Sequence, residues 1–236
     1  MKFIPFESRF KAGEILARLV LNQNPLIKKI IRNRDEKVNL FAIPNGGVPV
    51  AEGFCNELGV GVGFDVLIVR KIKIPYNTEA GFGSVTTDGT VLINEALLSQ
   101  LNLSERSIEN SIEITKREIS ERIRFYNKTT DIDSSYKSFI NNNYIFIVDD
   151  GLASGFTMLA AIKMIKKYEP KQLYVGVPTA PFHTVNRIQH EVDEIYCPNI
   201  KKTSWFAVAD AYKHWYDVPE SEVLDIIKKS KFYLGK

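Results

Sequence analysis

Short apolar runs alternate with helical patterns along the chain from residue 38 onward. Residues 38–43, 145–148 and 173–177 are rich in β-branched and aromatic side chains and show no polar alternation. Such runs are typical of strands buried on both faces of a parallel sheet. From residue 157 onward, apolar residues recur at helical spacing, which predicts a helix with one buried face. Strands that alternate with helices predict an α/β fold with a parallel sheet.

The same patterns predict the remaining elements. Residues 75–84 are rich in turn-forming residues, and residues 85–93 predict a hairpin around Asp88 and Gly89. Residues 127–143 are polar and predict a connection with one short turn at most. Further strands are expected at residues 65–69 and 193–198, and helices at residues 14–20, 26–31, 50–58, 105–126, 184–190 and 221–229. Ser104 is the predicted N-cap of the helix at 105–126, whose apolar stripe predicts either core packing or a subunit contact in a homodimer.

Composition and charge narrow the function classes. A chain of 236 residues can bury a large core as a single domain. Its net charge of +3 is small and evenly spread, which argues against a nucleic-acid partner. No apolar stretch is long enough to span a membrane, and the N-terminus lacks the pattern of a signal peptide. Cys55 and Cys197 have no metal or redox spacing, so free thiols and a cytoplasmic location are expected.

The strongest candidate for chemistry follows the apolar run at 145–148. Asp149 and Asp150, called the acidic pair below, come directly after this predicted strand. Small residues and the start of a helix follow at 151–157, a segment called the phosphate loop. Backbone N–H groups at the positive end of the helix would hold a phosphate. The carboxylates could accept hydrogen bonds from ribose hydroxyls, directly or through hydrated Mg²⁺, although an ordinary turn with two solvated Asp side chains fits the same pattern.

Residues 148–157 resemble the loop of type I phosphoribosyltransferases that binds phosphoribosyl pyrophosphate (PRPP). The apolar strand, the acidic pair, the small residues, Gly155 and Thr157 stand at the family's spacing, whereas Gly151 replaces an aliphatic residue. The resemblance implies that the acidic pair is catalytic and holds Mg²⁺ through water. It also implies that the rest of the loop binds PRPP, namely Gly151, Leu152, Ala153, Ser154, Gly155, Phe156 and Thr157.

A second loop supports this resemblance. Residues 44–47, called the glycine loop, follow the first predicted strand. Alone they predict a tight turn, but beside the acidic pair they resemble the family's pyrophosphate loop. Asn45, Gly46 and Gly47 would then bind pyrophosphate, and Asn45 stands where relatives carry Arg, so the pyrophosphate must find positive charge elsewhere. Arg70 and Lys71 are expected at the tip of the strand at 65–69 and are candidates for that charge, although a solvated pair is the simpler interpretation.

The resemblance extends over nearly the whole chain, with the motifs in order, and points to a group of predicted bacterial phosphoribosyltransferases of unknown substrate. It implies a single domain with a central parallel sheet of about five strands flanked by helices, in a core at about 38–198. It also implies a flexible hairpin insertion that closes over PRPP, and a small hood formed by the chain ends, about 1–37 and 199–236. Glu79 is the carboxylate at the tip of the insertion and could act on the nucleophile. Phe182 and Trp205 are weaker candidates for binding a base under the hood.

These expectations imply an enzyme that transfers the 5-phosphoribosyl group of PRPP to a nitrogenous base, or catalyses the reverse, with Mg²⁺ and release of pyrophosphate. Ala153 replaces the acid that contacts the base in 6-oxopurine enzymes, so hypoxanthine or guanine is less expected as the acceptor. The alternative is a non-catalytic regulator that senses PRPP or a nucleotide on the same fold. A nucleotide hydrolase or kinase ranks last, because the chain contains no GxxxxGK(S/T) motif.

Overall fold

The computed structural model describes residues 3–129, 131–203 and 205–235, without the side chains of Thr78 and Glu79. The helices are α1 (Arg9–Gln23), α2 (Pro25–Asn33), α3 (Gly47–Leu58), α4 (Glu95–Leu98), α5 (Glu105–Phe125), α6 (Ile132–Ile140), α7 (Phe156–Lys166), α8 (Phe182–Ile188) and α9 (Glu220–Lys229). The strands are β1 (Val38–Ala42), β2 (Val62–Val66), β3 (Val69–Ile74), β4 (Asn77–Thr86), β5 (Val91–Ile93), β6 (Tyr144–Val148), β7 (Gln172–Gly176), β8 (Thr179–Pro181), β9 (Glu194–Tyr196) and β10 (Asn199–Lys201). Two short 3₁₀ helices lie at Gln189–Glu191 and Val208–Ala211.

A five-stranded parallel sheet forms the centre of the molecule, in the order β2-β1-β6-β7-β9. Its three middle strands are fully buried or nearly so, as their unbroken apolar sequences predicted. In the register of the sheet, Ala42 lies beside Val66 on one side and Val148 on the other. The loops that follow β1 and β6 therefore leave the same edge of the sheet from adjacent strands. This arrangement confirms the predicted fold class and places the glycine loop beside the acidic pair.

Helices cover both faces of this sheet. On one face α1, α2 and α3 pack with the strands around Leu16, Val20 and Phe54, and on the other α6 and α7 pack around Tyr136 and Ile162. α1 lies so close to α3 that a Cβ atom added to Gly13 would stand 2.0 Å from the carbonyl oxygen of Val50. The N-terminal segment therefore belongs to the helical layer of the core as well as to the predicted hood.

A separate antiparallel sheet, called the second sheet, is formed by β3, β4 and β5. The hairpin around Asp88 and Gly89 is confirmed, but two neighbouring predictions are wrong. The strand expected at 65–69 is split, because the chain leaves the central sheet after Leu67, whose N–H still donates to the Ala42 carbonyl oxygen at 3.0 Å. The turn-rich segment at 75–84 is largely strand β4. Gly81 allows β4 to pack closely against β3, since a Cβ atom on it would lie 2.1 Å from the Lys71 side chain.

The segment between α5 and β6 also differs from its prediction. α6 occupies residues expected to form a connection, and it starts at Asp131, whose side chain accepts a hydrogen bond from the Ser134 N–H. Tyr136 and Ile140, four residues apart, are fully buried under it. The polar residues of this segment lie on the solvent face of a short amphipathic helix, and they obscured its helical pattern in the sequence. α5 begins at its predicted N-cap, and its apolar stripe packs onto the core.

The two ends of the chain meet above the carboxyl edge of the central sheet. The Phe6 N–H donates to the Ala211 carbonyl oxygen at 2.8 Å, and the Phe6 ring packs against Tyr212. Further on, the chain returns to the opposite margin of the sheet, where the Phe64 N–H donates to the Phe232 carbonyl oxygen at 2.9 Å. The C-terminal residues thus cover the edge of β2, while residues around 205–218 lie near the acidic pair. In the described ranges, no helix is both long and apolar enough to cross a membrane.

Candidate active site

The acidic pair lies at the carboxyl end of β6, where both residues are half-buried. The Asp150 N–H donates to Asp149 Oδ1 at 2.8 Å, which holds the Asp149 carboxylate against the backbone. Asp150 Oδ2 accepts from Arg9 Nε at 2.7 Å. The acidic pair is therefore built into a hydrogen-bond network and does not form the solvated turn that the sequence also allowed.

Arg9 is the partner of the acidic pair that the sequence analysis missed. Its side chain is only 6% exposed, and its guanidinium carbon lies 4.2 Å from the centre of the Trp215 ring. The rings of Tyr212 and Tyr216 flank it at 5.4 Å and 5.3 Å. A buried Arg needs an anionic partner, but nothing in the local pattern around residue 9 shows that this partner stands 141 positions away.

The charges at this edge are strongly coupled. Burial raises the pKa of Asp149 well above its ordinary value, and the neighbouring Asp150 carboxylate raises it further. The Tyr212 hydroxyl donates to the Asp150 carbonyl oxygen at 2.6 Å, and burial raises the pKa of this phenol too. Without a ligand, Arg9 pairs with Asp150, while the surroundings of Asp149 disfavour its charged form. A ligand with hydroxyl groups or a bound cation would find one carboxylate engaged by Arg9 and one held by the backbone.

The phosphate loop carries backbone N–H groups that are not used within the chain. Ala153, Ser154 and Thr157 are exposed, and Gly155 adopts the left-handed conformation (φ 73°) immediately before α7. Among the described residues, the N–H groups of Ala153, Ser154 and Gly155 have no acceptor. The first turn of a helix carries further free N–H groups and a positive partial charge. This geometry matches the anion site that the sequence predicted at 153–157.

Leu152 and Gly151, the two residues before these donors, pack against neighbouring segments. Leu152 is buried in the core, and its N–H donates to the Thr179 carbonyl oxygen at 2.9 Å. It would therefore position the loop for a ligand without donating a hydrogen bond to the ligand from its N–H. A Cβ atom on Gly151 would lie 2.6 Å from the Val208 side chain. The departure from the family pattern at Gly151 thus has a physical reason, because Val208 from the C-terminal segment takes up the space of the missing side chain.

The glycine loop touches the acidic pair directly. A Cβ atom on Gly46 would lie 2.0 Å from Asp150 Oδ2, and one on Gly47 would lie 2.7 Å from the Val148 carbonyl oxygen. The peptide bond between Pro44 and Asn45 is cis. The Asn45 side chain donates from Nδ2 to the Val218 carbonyl oxygen at 2.8 Å. The structure therefore brings together the two loops that the sequence analysis singled out, with glycine required where they meet.

Arg70 and Lys71 lie elsewhere than predicted. They belong to β3 of the second sheet rather than to the tip of a central strand, because the strand expected to carry them ends earlier. Successive residues of a strand face opposite sides: Lys71 is exposed, whereas Arg70 is half-buried beside α5. Of the two, Arg70 faces the helix that also reaches Asn45, through Tyr126, whose hydroxyl lies 3.4 Å from Asn45 Oδ1.

The roles of three further candidates, Glu79, Phe182 and Trp205, stay predictions. Glu79 lies in β4, but its side chain falls outside the described part of the chain. Phe182 begins α8 and is 43% exposed, with Lys202 Nζ 5.1 Å above its ring. Trp205 is 83% exposed. Both aromatic rings are available to a ligand at the surface, and neither is needed for the core.

The donor set fits Mg²⁺ held mainly by water and by a ligand. Within the described ranges, no group of three or more His, Cys, Asp or Glu residues is arranged to hold a metal ion. Mg²⁺ keeps several waters and commonly takes one or two carboxylates together with substrate phosphates, which is what Asp149 and Asp150 could provide. A role for Mg²⁺ is therefore compatible with the acidic pair, with water and the phosphate oxygens of a ligand completing its coordination.

Comparison with known proteins identifies the family. The model of the phosphoribosyl transferase domain matches residues 12–215, a range that includes both loops and the acidic pair. The chain belongs to the phosphoribosyl transferase family. Two Mycobacterium tuberculosis proteins, "Putative phosphoribosyl transferase MT0597" from strain CDC 1551 / Oshkosh and "Putative phosphoribosyl transferase Rv0571c" from strain ATCC 25618 / H37Rv, are each 25% identical over 95% of this chain. The chain spans 47% of their length.

A solved structure shares the fold of this phosphoribosyl transferase domain. The crystal structure of TT1426 from Thermus thermophilus aligns with a TM-score of 0.72 and 24% identity, covering 95% of this chain and 98% of that one. The resemblance stated from the sequence is thereby confirmed for family and fold.

Proposed function

We propose that this phosphoribosyl transferase domain transfers the 5-phosphoribosyl group of PRPP to a nitrogenous base, or catalyses the reverse. The observation that carries the proposal is the direct contact between Gly46 and Asp150, which joins a candidate pyrophosphate loop to a candidate ribose site at one sheet edge. Open α/β sheets bind ligands at this edge. The family match and the free N–H groups of the phosphate loop support the same assignment.

Each part of PRPP has a proposed set of residues. The 5′-phosphate binds to the N–H groups at 153–157 and to the Thr157 hydroxyl. The ribose hydroxyls donate to the acidic pair, and the pyrophosphate lies over the glycine loop within reach of the side of the second sheet that carries Arg70. Mg²⁺ bound between the pyrophosphate and the acidic pair would neutralise part of the leaving group's negative charge.

The proposed reaction is a displacement at the anomeric carbon. The bond from this carbon to the pyrophosphate oxygen breaks, and pyrophosphate leaves with the electron pair. A nitrogen of the base forms the new bond and loses a proton. Positive charge develops on the ribose in the transition state, and the adjacent carboxylates stabilise it electrostatically. Glu79 as the proton acceptor, Phe182 and Trp205 as base contacts, and closure of the flexible hairpin insertion over PRPP stay predictions of the sequence.

One observation favours the second candidate, a non-catalytic sensor of PRPP or a nucleotide. Arg9 pairs with Asp150, and the surroundings of Asp149 disfavour its charged form, so the acidic pair offers less free negative charge than two solvated carboxylates would. A sensor would bind PRPP and alter its contacts with the chain ends without turnover. The two candidates share the binding site and differ only in whether product forms.

Calorimetric titration of PRPP with and without Mg²⁺ tests the proposal. Wild type should bind with Mg²⁺, and Asp149→Asn/Asp150→Asn should lose at least about tenfold in affinity, because hydrogen bonds to charged groups contribute about 1.5–3 kcal/mol each. Asp225→Asn, which changes an exposed acid on α9, is the matched control and should bind as wild type does. Absence of PRPP binding would refute the assignment.

Screening bases for pyrophosphate release then separates the two candidates. Turnover with any base supports the transferase, whereas PRPP binding without turnover on any base supports the sensor. Size-exclusion chromatography with light scattering addresses the predicted homodimer, and localisation in the native cell addresses the predicted cytoplasmic location.

A further inference from the structure

The glycine loop is supported by the contacts of its Asn45 side chain. Asn45 stands where a cation was expected, and its side chain is held between two segments. Its Nδ2 donates to the Val218 carbonyl oxygen at 2.8 Å, and its Oδ1 accepts from the Tyr126 hydroxyl at 3.4 Å. Tyr126 directly follows α5 and is buried. The loop is thereby attached to the end of α5.

Two guanidinium groups meet at this end of α5. Arg122 precedes Tyr126 by four residues, about one helical turn, and therefore lies on the same face. Its side chain is 22% exposed and pairs with Glu220 at the start of α9. Arg70 approaches the same face from β3. The groups whose charges affect its pKa there are Arg122, Glu118, Tyr126 and Glu220.

The hydrogen-bonding capacity of this pair of cations is not fully used. The Arg70 Nε atom is buried and has no hydrogen-bond partner in the part of the chain that the structure describes. Burial lowers the pKa of Arg70, and the charge of Arg122 lowers it further. Glu118 also faces Lys73, 3.7 Å away, so it serves more than one cation. A half-buried guanidinium with an unused buried Nε donor beside a second guanidinium is an arrangement that an anion would stabilise.

We propose that Arg70 and Arg122 together bind the pyrophosphate group of PRPP, supplying from the second sheet and α5 the positive charge that Asn45 lacks. The inference rests on the proposed function and extends it, because Arg122 has no role in the assignments above. Tyr126 and Asn45 connect the two Arg residues to the glycine loop and fix its position relative to them. Glu220 occupies Arg122 until the polyanion arrives and is displaced by it.

Arg122→Gln and Arg70→Gln test this proposal by calorimetry with three probes, namely PRPP, inorganic pyrophosphate and ribose 5-phosphate. Each variant should bind PRPP and pyrophosphate about tenfold to a hundredfold more weakly, the usual effect of removing one charge-assisted hydrogen bond. Binding of ribose 5-phosphate should stay within about twofold of wild type, because that probe needs only the phosphate loop and the acidic pair. Arg124→Gln, on the exposed face of the same helical turn, removes an equal charge and should change none of the three affinities.

Glu220→Gln tests whether Arg122 binds the anion or only tethers α5 to α9 through its ion pair with Glu220. It breaks the same ion pair as Arg122→Gln but keeps the cation, so affinity for pyrophosphate should equal or exceed that of wild type. Arg122→Lys, which keeps the charge, serves if Arg122→Gln does not fold, and should bind pyrophosphate with an affinity between wild type and Arg70→Gln. A loss with Glu220→Gln as large as with Arg122→Gln would assign Arg122 to tethering and overturn the proposal.

The proposal and the function beneath it fail in different ways. If wild type binds PRPP and both Gln variants bind it equally well, the Arg pair has no role and the proposed function stands. If wild type binds neither PRPP nor ribose 5-phosphate, the proposed function is refuted and this inference with it.

Discussion

The two carboxylates at the end of β6 have different surroundings, and the difference has a consequence for stability. Asp150 is paired with Arg9, whereas Asp149 receives a single backbone N–H and stands beside the charge of its neighbour. Its raised pKa means that the folded protein binds a proton at this site more tightly than the unfolded chain does. Asp149 therefore destabilises the folded protein at neutral pH, as functional groups often do.

Asp149→Asn should raise the free energy of unfolding at neutral pH. Below the ordinary pKa of an Asp, about 4, the group is protonated in both states and the substitution should have little effect. As the pH rises above that value, Asp149 ionises in the unfolded wild type before it ionises in the folded wild type. Wild type therefore loses stability relative to the variant until the pH reaches the raised pKa of the folded state. The stability advantage of the variant should therefore grow with pH, to about 0.5–2 kcal/mol.

Urea unfolding from pH 4.5 to 8 measures this difference directly. Titrating groups that do not interact with Asp149 affect both proteins equally and cancel. Asp225→Asn on α9, where the acid is 65% exposed, should show no such trend. A variant that is less stable than wild type at every pH would show that the hydrogen bond from the Asp150 N–H outweighs the burial of charge.

At the scale of elements, the site depends on how closely two loops approach at the edge of the sheet. Gly46 has φ −64° and ψ −30°, a conformation open to any residue, so its small size rather than its backbone freedom matters. The three atoms nearest to an added Cβ atom all belong to the Asp150 carboxylate. The sequence alone suggested that glycine was needed for conformation or for a ligand, and the structure adds the carboxylate that fills the space.

Gly46→Ala should damage binding more than folding. The added methyl group would lie 2.0 Å from Asp150 Oδ2 and 2.4 Å from its Cγ, so the carboxylate must move. A displaced carboxylate should lower PRPP affinity by at least about tenfold, since a misplacement of about 1 Å can reduce activity a hundredfold. Calorimetry should show this loss while the thermal midpoint falls by only a few degrees.

Gly59→Ala at the other end of α3 is the matched control. Gly59 has φ 80°, and an added methyl group would meet no atom within 4 Å, so Ala there introduces backbone strain of about 1–2 kcal/mol without a clash. It should lower stability and leave PRPP affinity unchanged. An affinity loss as large as that of Gly46→Ala would attribute the effect to α3 as a whole.

Local patterns predicted the elements that carry the site. β1 and β6 are unbroken apolar runs, and the residues after them favour turns, so both loops could be found from the sequence. Arg70 was misplaced because Leu67 and Ile68 are buried and apolar whether or not they belong to a strand. α6 was missed because its apolar residues are few, and β4 because its glycines, which serve close strand packing, are also typical of turns.

The whole molecule closes on the acidic pair from both ends of the chain. Arg9 comes from the first helix, Trp215 and Tyr212 from the C-terminal segment, and Asp150 from the central strand. No pattern in the sequence could reveal this contact, because it is created by the meeting of three distant segments. The hood is thus coupled electrostatically to the residues proposed to bind ribose.

Arg9→Gln should destabilise the folded protein by about 3–5 kcal/mol, the usual result of breaking a buried ion pair and leaving one charge unpaired. Arg9 and Asp150 are 6% and 15% exposed, so water compensates little. Arg9→Gln/Asp150→Asn should recover much of this loss, because neither charge then remains. Lys11→Gln, which breaks an ion pair in which Lys11 is 56% exposed, should cost less than about 1 kcal/mol.

The double-mutant cycle, measured by urea unfolding, decides whether the chain ends are held by this charge or by the aromatic rings around it. A coupling energy above about 1 kcal/mol between Arg9 and Asp150 would assign the closure of the hood to the ion pair. A coupling near zero, with Arg9→Gln still destabilising, would assign it to stacking of the guanidinium on Trp215. Since the proposed ribose ligand competes with Arg9 for Asp150, only the first result would make the hood responsive to PRPP.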